Sequence, residues 1–151
     1  MSIKKLFVLT LLALTLLKVF ASSIHPDDVV GTWYNQEKTS KIKIYKCGNE
    51  GKKYCGKIVW LKRDKEEDGT PRVDKNNPDP KKRKTLLQDL VILKLFVYDS
   101  GEKEWNEGTI YDPYTGKNYK AFIKREGKNL KVRGYVGVSM LGRTATWTPT
   151  Q

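Results

Sequence analysis

From residue 29 onward, apolar and polar side chains alternate in short runs separated by Gly, Pro, Asn and Asp. A period of two sends successive side chains to opposite faces and marks half-buried β-strands. Eight strands are predicted, over 29–35, 41–47, 54–62, 91–99, 104–112, 117–126, 130–138 and 142–148. Val29, Gly31 and Trp33 share one face of the first. Ile42 and Ile44 oppose Lys41, Lys43, Tyr45 and Cys47 on the second, and Tyr54, Gly56, Ile58 and Trp60 lie together on the third. Trp105, Thr109 and Tyr111 share a face of the fifth, and Tyr119, Ala121 and Ile123 a face of the sixth, where Phe122 is an apolar outward exception. Leu130, Val132, Gly134, Val136 and Val138 align on the seventh, and Arg143, Ala145 and Trp147 on the eighth. The fourth breaks the alternation. Val91, Ile92, Leu93, Leu95, Phe96 and Val97 put apolar groups on both faces, so this strand is expected to be covered on both, by the preceding turn or by another subunit.

Turn chemistry such as Asp112-Pro113-Tyr114-Thr115-Gly116 and Gly127-Lys128-Asn129 joins most runs as hairpins. The expected fold is therefore all-β, an eight-stranded antiparallel up-and-down barrel whose closure removes strand edges. A two-sheet sandwich is the competing arrangement. The exception to short connections is 63–84, with Asp68-Gly69, three prolines and charges of both signs. Loops of this length inside a domain are often lids or covers. This one ends in a positive cluster, Lys81, Lys82, Arg83 and Lys84.

The first 21 residues read differently. Lys4 and Lys5 precede an apolar run, Leu6 to Leu17, and Val19-Phe20-Ala21 places small residues where a signal peptidase cuts. The run is shorter than the roughly 20 residues a membrane span needs. The expectation is a cleaved signal peptide, 1–21, then a single barrel domain, 22–151, that is exported and either periplasmic or secreted. The formal charge is +12; three of the lysines and no acid fall in residues 1–21, leaving +9 for the rest. In an exported protein that charge points away from nucleic acid and toward a carboxylate ligand or an anionic envelope component. Cys47 and Cys55 flank a Gly/Asn turn and fall on adjacent predicted strands, so a disulfide is expected. Its short loop implies a contribution of about 2–3 kcal/mol.

Catalytic chemistry finds little footing. The single His, His25, precedes the first strand, so a Ser or Cys nucleophile has no imidazole base within the barrel. Glu104, Glu107 and Asp112 fit hairpin ends. Asp74, Asn76, Asn77 and Asp79 offer oxygen ligands but lack the EF-hand spacing and its terminal Glu. No enzyme activity, metal or cofactor is expected.

Several motifs together resemble a family of small secreted bacterial proteins known as domain of unknown function 2147. They are Val30-Gly31-Thr32-Trp33, Cys47 with Cys55-Gly56-Lys57-Ile58-Val59-Trp60, and Asp74 with Asn76-Asn77-Pro78-Asp79-Pro80. Trp105, Gly108, Ile110-Tyr111-Asp112-Pro113, Gly116-Lys117-Asn118-Tyr119, Leu130-Lys131-Val132-Arg133-Gly134 and Leu141-Gly142-Arg143-Thr144 with Trp147 complete the set. The resemblance implies an exported, lipocalin-like (calycin) barrel and no particular reaction. The early Gly-x-Trp and late Arg also resemble the lipocalin signature. The polybasic run 81–84 is denser than the family pattern requires.

An eight-stranded barrel is either filled by side chains or just wide enough for one small ligand. If it is hollow, the expected pocket lining is Ile44, Tyr54, Ile58, Trp60, Trp105, Tyr111, Tyr119, Ile123, Val132 and Val136. Gly56, Ala121, Gly134 and Ala145 would leave room between them, and Lys81 to Lys84 would form a basic rim. Gly31 and Trp33 form the barrel floor, with the Arg143 guanidinium over the indole. The expected function is binding of a small hydrophobic or amphiphilic, fatty-acid-like molecule. The alternative is an envelope interaction protein with a filled barrel and a basic surface, acting as a homodimer or a surface complex.

Overall fold

In the computed structural model, which describes residues 23–150, eight strands form a closed antiparallel barrel. They are β1 (Gly31–Tyr34), β2 (Ser40–Cys47), β3 (Lys53–Leu61), β4 (Val91–Asp99), β5 (Glu104–Asp112), β6 (Lys117–Glu126), β7 (Asn129–Tyr135) and β8 (Arg143–Pro149). Each pairs with its neighbours in the chain, and β1 closes on β8 through Trp33↔Pro149 and Tyr34↔Thr148. The predicted barrel is thus the observed one, and the sandwich is not. The leader assigned to residues 1–21 lies outside the described residues.

The faces follow simple alternation except where one strand carries an extra residue. Between β2 and β3 the pairs run Ile42↔Ile58 and then Lys41↔Trp60, so Val59 is unmatched. The bulge turns Trp60 outward, where it is 37% exposed, packs edge-on against Tyr34 and lies under the Lys41 ammonium. A second irregularity crosses β4 and β5. Pairing passes from Lys94↔Thr109 to Val97↔Asn106, with Leu95 at φ 60° and Glu107 at φ 57°. The register between β4 and β5 is unbroken there, because both strands carry the extra residue; against β6, Trp105↔Ile123 is followed by Gly108↔Ala121, so two residues of β5 face one of β6. Trp105, Gly108 and Ile110 therefore face inward, while Thr109 and Tyr111 turn outward. A bulge moves every later residue to the other face. Alternation alone had assigned Trp60 and Tyr111 to the interior, and both assignments are corrected here.

Val136 is corrected for another reason. β7 ends at Tyr135, and Val136 lies in the β7–β8 loop, 69% exposed. Arg143 is also misplaced by the sequence reading. It pairs with Gly134 at the start of β8, six residues before the partner of Trp33, or about 20 Å along the strand. Its guanidinium is exposed and does not cover the indole.

The interior is packed. Ile42, Ile44, Leu93, Phe96, Trp105, Ile123 and Leu130 are each at most 1% exposed, and Trp33, Ile58, Val132 and Trp147 join the same cluster. The small residues accommodate large neighbours rather than leaving space. A Cβ at Gly108 would overlap the Phe96 ring, and one at Gly56 would lie 2.8 Å from Leu93 Cδ1. Cys47 and Cys55 are disulfide-bonded, with Cα atoms 5.8 Å apart, and tie β2 to β3.

Candidate functional site at the open end of the barrel

The two ends of the barrel differ, because residues before β1 plug one of them. A 3-10 turn, Pro26–Val29, crosses that end. Its carbonyls accept from the barrel's own buried donors: Trp33 Nε1 gives to Val29 O at 2.9 Å and Trp105 Nε1 to Pro26 O at 2.8 Å. Tyr98 Oη adds a bond to Ile24 O at 2.9 Å. Two ion pairs hold the rim, Arg125–Asp28 at 2.9 Å and Lys46–Asp27 at 2.8 Å. Tyr54 Oη also donates to Asp27, and burial with this bond pushes the phenol up to about 12. The Gly-x-Trp motif lies at this plugged end, and its indole is satisfied by a backbone carbonyl rather than by an arginine. An open recess of about 600 Å³ lies outside this plug, bounded by His25, Asp27, Lys46, Lys52, Tyr54 and Tyr98. Its polar wall is already paired internally, through Asp27, Lys46 and Tyr54.

The long connection between β3 and β4 is a folded flap. Lys65↔Pro71 and Val73↔Leu86 make isolated bridges, and Leu87 N donates to Arg72 O at 3.0 Å. It is fastened to the outer face of β5 by a buried carboxylate. Asp74 is 0% exposed and accepts from Tyr111 Oη at 2.7 Å and Asn77 Nδ2 at 2.6 Å. Burial and the bond to Asp74 push the Tyr111 phenol up to about 12. Asn76 Nδ2 reaches the carbonyls of Pro113 and Tyr114, at 3.2 and 2.8 Å. Gly116, at φ 69°, sits so close to Asn76 O that any Cβ would overlap it. The Asp-x-Asn-Asn and Tyr-Asp-Pro motifs thus meet as a latch, a role that sequence reasoning missed. On this side of β4, Ile92 is 7% exposed and Leu87 is 4% exposed. The two-sided apolar strand is explained by this flap and by the Leu95 bulge.

The flap carries Lys81 to Lys84, all exposed. Arg83 Nε donates to Asn77 O at 2.9 Å and Lys82 pairs with Asp79 at 3.8 Å. None bonds to an inward-facing residue among the described ones, so the structure does not bring the basic run to the predicted lining. Ile44, Tyr54, Ile58, Trp105, Ile123 and Val132 do face inward, all buried within the packed cluster. A crevice of about 20 Å³ between the flap and the β5–β6 turn, beside Arg72, Asn76 and Tyr114, has room for little more than a water molecule.

The other end has no plug of comparable packing. Its inward face carries Tyr119 on β6, Ile110 on β5, Gly134 on β7 and Ala145 on β8, all half-buried. Ile110 Cγ2 and Tyr119 Cβ lie over Gly134, 3.2 and 3.5 Å from where its Cβ would be. Arg143, on the same face of β8 as Ala145 and Trp147, stands exposed above them. It makes no ion pair among the described residues. Of the predicted lining, only Tyr119 is at this opening. Ile110 was hidden by the β5 bulge, while Ala145 was visible as a small inward residue. The arrangement presents an apolar patch with one cation at its margin.

An eight-stranded antiparallel barrel of this kind, plugged at one end, has a lipocalin-like fold. The chain is similar to the solved structure of protein HP1028 from the human pathogen Helicobacter pylori, described as belonging to the lipocalin family. The TM-score is 0.66 at 23% identity, over 81% of this chain and 82% of that one. Residues 31–149 match the family of uncharacterized proteins conserved in bacteria, domain of unknown function 2147, and the chain belongs to that family. No curated protein matches it in sequence.

Proposed function

We propose that this protein is an exported binding protein that takes a small amphiphile with an acidic head group at the open end of its barrel. The apolar part lies on Ile110, Tyr119 and Ala145, and the acid meets Arg143. The carrying observation is Arg143 itself, a cation without an ion pair among the described residues, on the inward face beside half-buried apolar side chains. Apolar walls with a few well-placed polar groups suit small-molecule sites, and a guanidinium fork suits a carboxylate. The packed interior argues for a shallow site, with the tail only partly enclosed.

The test is a competition titration with a fatty acid and the fatty alcohol of equal chain length, read by tryptophan fluorescence and native mass spectrometry. The acid should bind more tightly, and Arg143→Gln should remove that preference while leaving the alcohol unaffected. Absence of any complex with either compound, by both methods, sinks the proposal. The packed interior equally favours an envelope interaction protein; in that reading the binding surface lies outside the barrel.

A further inference from the structure

The β7–β8 loop carries four exposed apolar side chains: Val136 at 69%, Val138 at 60%, Met140 at 85% and Leu141 at 79%. Single exposed apolar residues are ordinary, but a contiguous set marks an interaction site. The loop has a defined shape. Residues Ser139–Leu141 form a 3-10 turn, and Arg133 holds it by donating to Ser139 O at 2.8 Å, Met140 O at 3.1 Å and Thr144 Oγ1 at 2.8 Å. A cation thus fixes the backbone while leaving the apolar side chains pointing away.

The surroundings are basic. No acidic residue occurs from Gly127 to Gln151. On the adjoining strand Lys120 pairs with Tyr135, directly at the base of the loop. Lys117 is exposed three residues before Lys120, at the start of β6, and Arg143 is exposed on the other side. The outer face below the loop carries a Phe122–Tyr135 pair, with ring centroids 6.4 Å apart. An apolar tip, aromatic rings behind it and cations around it match the layers of a membrane–water interface. Anionic headgroups attract cations that lie within a Debye length of the surface.

We propose that the 136–141 loop is a membrane-docking tip that inserts its apolar side chains into an anionic phospholipid surface. The occupant is the bilayer rather than a protein, because the four exposed apolar side chains sit on one short loop, within an acid-free stretch from Gly127 to Gln151 and beside the exposed Lys120 and Arg143. The proposal does not depend on the ligand reading above, since none of the four side chains belongs to the patch formed by Ile110, Tyr119 and Ala145.

The experiment is co-sedimentation of residues 22–151 with phosphatidylcholine vesicles, with and without phosphatidylglycerol. The wild type should partition onto the anionic vesicles at low salt and release as salt rises. Met140→Asp with Leu141→Asp should weaken partition by at least about tenfold, because two inserted side chains are lost. Lys117→Gln with Lys120→Gln should weaken it severalfold and flatten its salt dependence. Unchanged thermal melting confirms that each variant is folded. Equal partition of the wild type and the aspartate variant overturns the proposal. So does a loop-dependent dimer in sedimentation velocity with no vesicle binding, which would make the tip a contact between copies.

Discussion

The flap latch can be broken with one oxygen atom. Tyr111→Phe keeps the ring and its packing but removes the hydroxyl that donates to Asp74 at 2.7 Å. The carboxylate then remains fully buried with the Asn77 amide, at 2.6 Å, as its remaining side-chain donor. A hydrogen bond to a charged group contributes about 1.5–3 kcal/mol. A destabilisation of about 2 kcal/mol follows. Opening of the flap alone would raise its amide exchange by about 30-fold, since each 1.4 kcal/mol is a factor of ten. The amides to follow are Asp74 N, bonded to Thr85 O, and Leu87 N, bonded to Arg72 O. Barrel amides such as that of Ile123 should be unaffected if the flap opens by itself, and should follow it if flap and barrel unfold together. Tyr114→Phe is the control, because that ring is 66% exposed. Asp74→Asn should cost at least as much. Asn77 Oδ1 is held by Asp79 N at 2.9 Å, so the Asn77 amide cannot flip to suit a new NH2 group without losing that bond. A Tyr111→Phe variant within 0.5 kcal/mol of wild type, with unchanged flap exchange, would refute the reasoning that a buried charge fastens this segment.

Three further outcomes are expected. Stability should fall as pH rises from about 10 to 12, because Tyr54 and Tyr111 ionise near 10 when unfolded but are held up to about 12 when folded. Alkaline denaturant titrations should show a shallower fall for Tyr111→Phe, and an unchanged slope would contradict the latch. Gly108→Ala should cost about 1–3 kcal/mol by pressing on the buried Phe96 ring, and Phe96→Leu should recover part of it in a double-mutant cycle, whereas additive effects would deny the contact. Trp33→Ala should cost about 3–5 kcal/mol in equilibrium unfolding. Trp60→Ala, outside the bulge and 37% exposed, should cost well under half as much, and equal costs would place Trp60 back in the core.

Much of the barrel was legible because its cause is local. Alternation set each strand, and Gly, Asn, Asp and Pro set the turns, so β4, β5 and β6 have the predicted bounds. The spacing of Cys47 and Cys55 indicated a disulfide between adjacent strands, and the structure has one.

What the chain order concealed were the places where register shifts. Val59, Leu95 and Glu107 carry no residue type that announces a bulge; Leu95 and Glu107 adopt positive φ without being glycine. A strand's own pattern counts faces correctly only until an unmatched residue intervenes, and that mismatch belongs to the pair of strands rather than to either one. Hence Trp60 and Tyr111 face outward, Ile110 faces the open end, and the fourth strand is apolar on both sides. The flap has no period to read, since polar bonds rather than buried stripes order it, and those bonds join residues 37 apart. Even the Arg143 contact failed for a geometric reason. Strand order brings β1 and β8 together, but only the tilt of a closed barrel decides which levels meet, and that stagger left Arg143 at the open end.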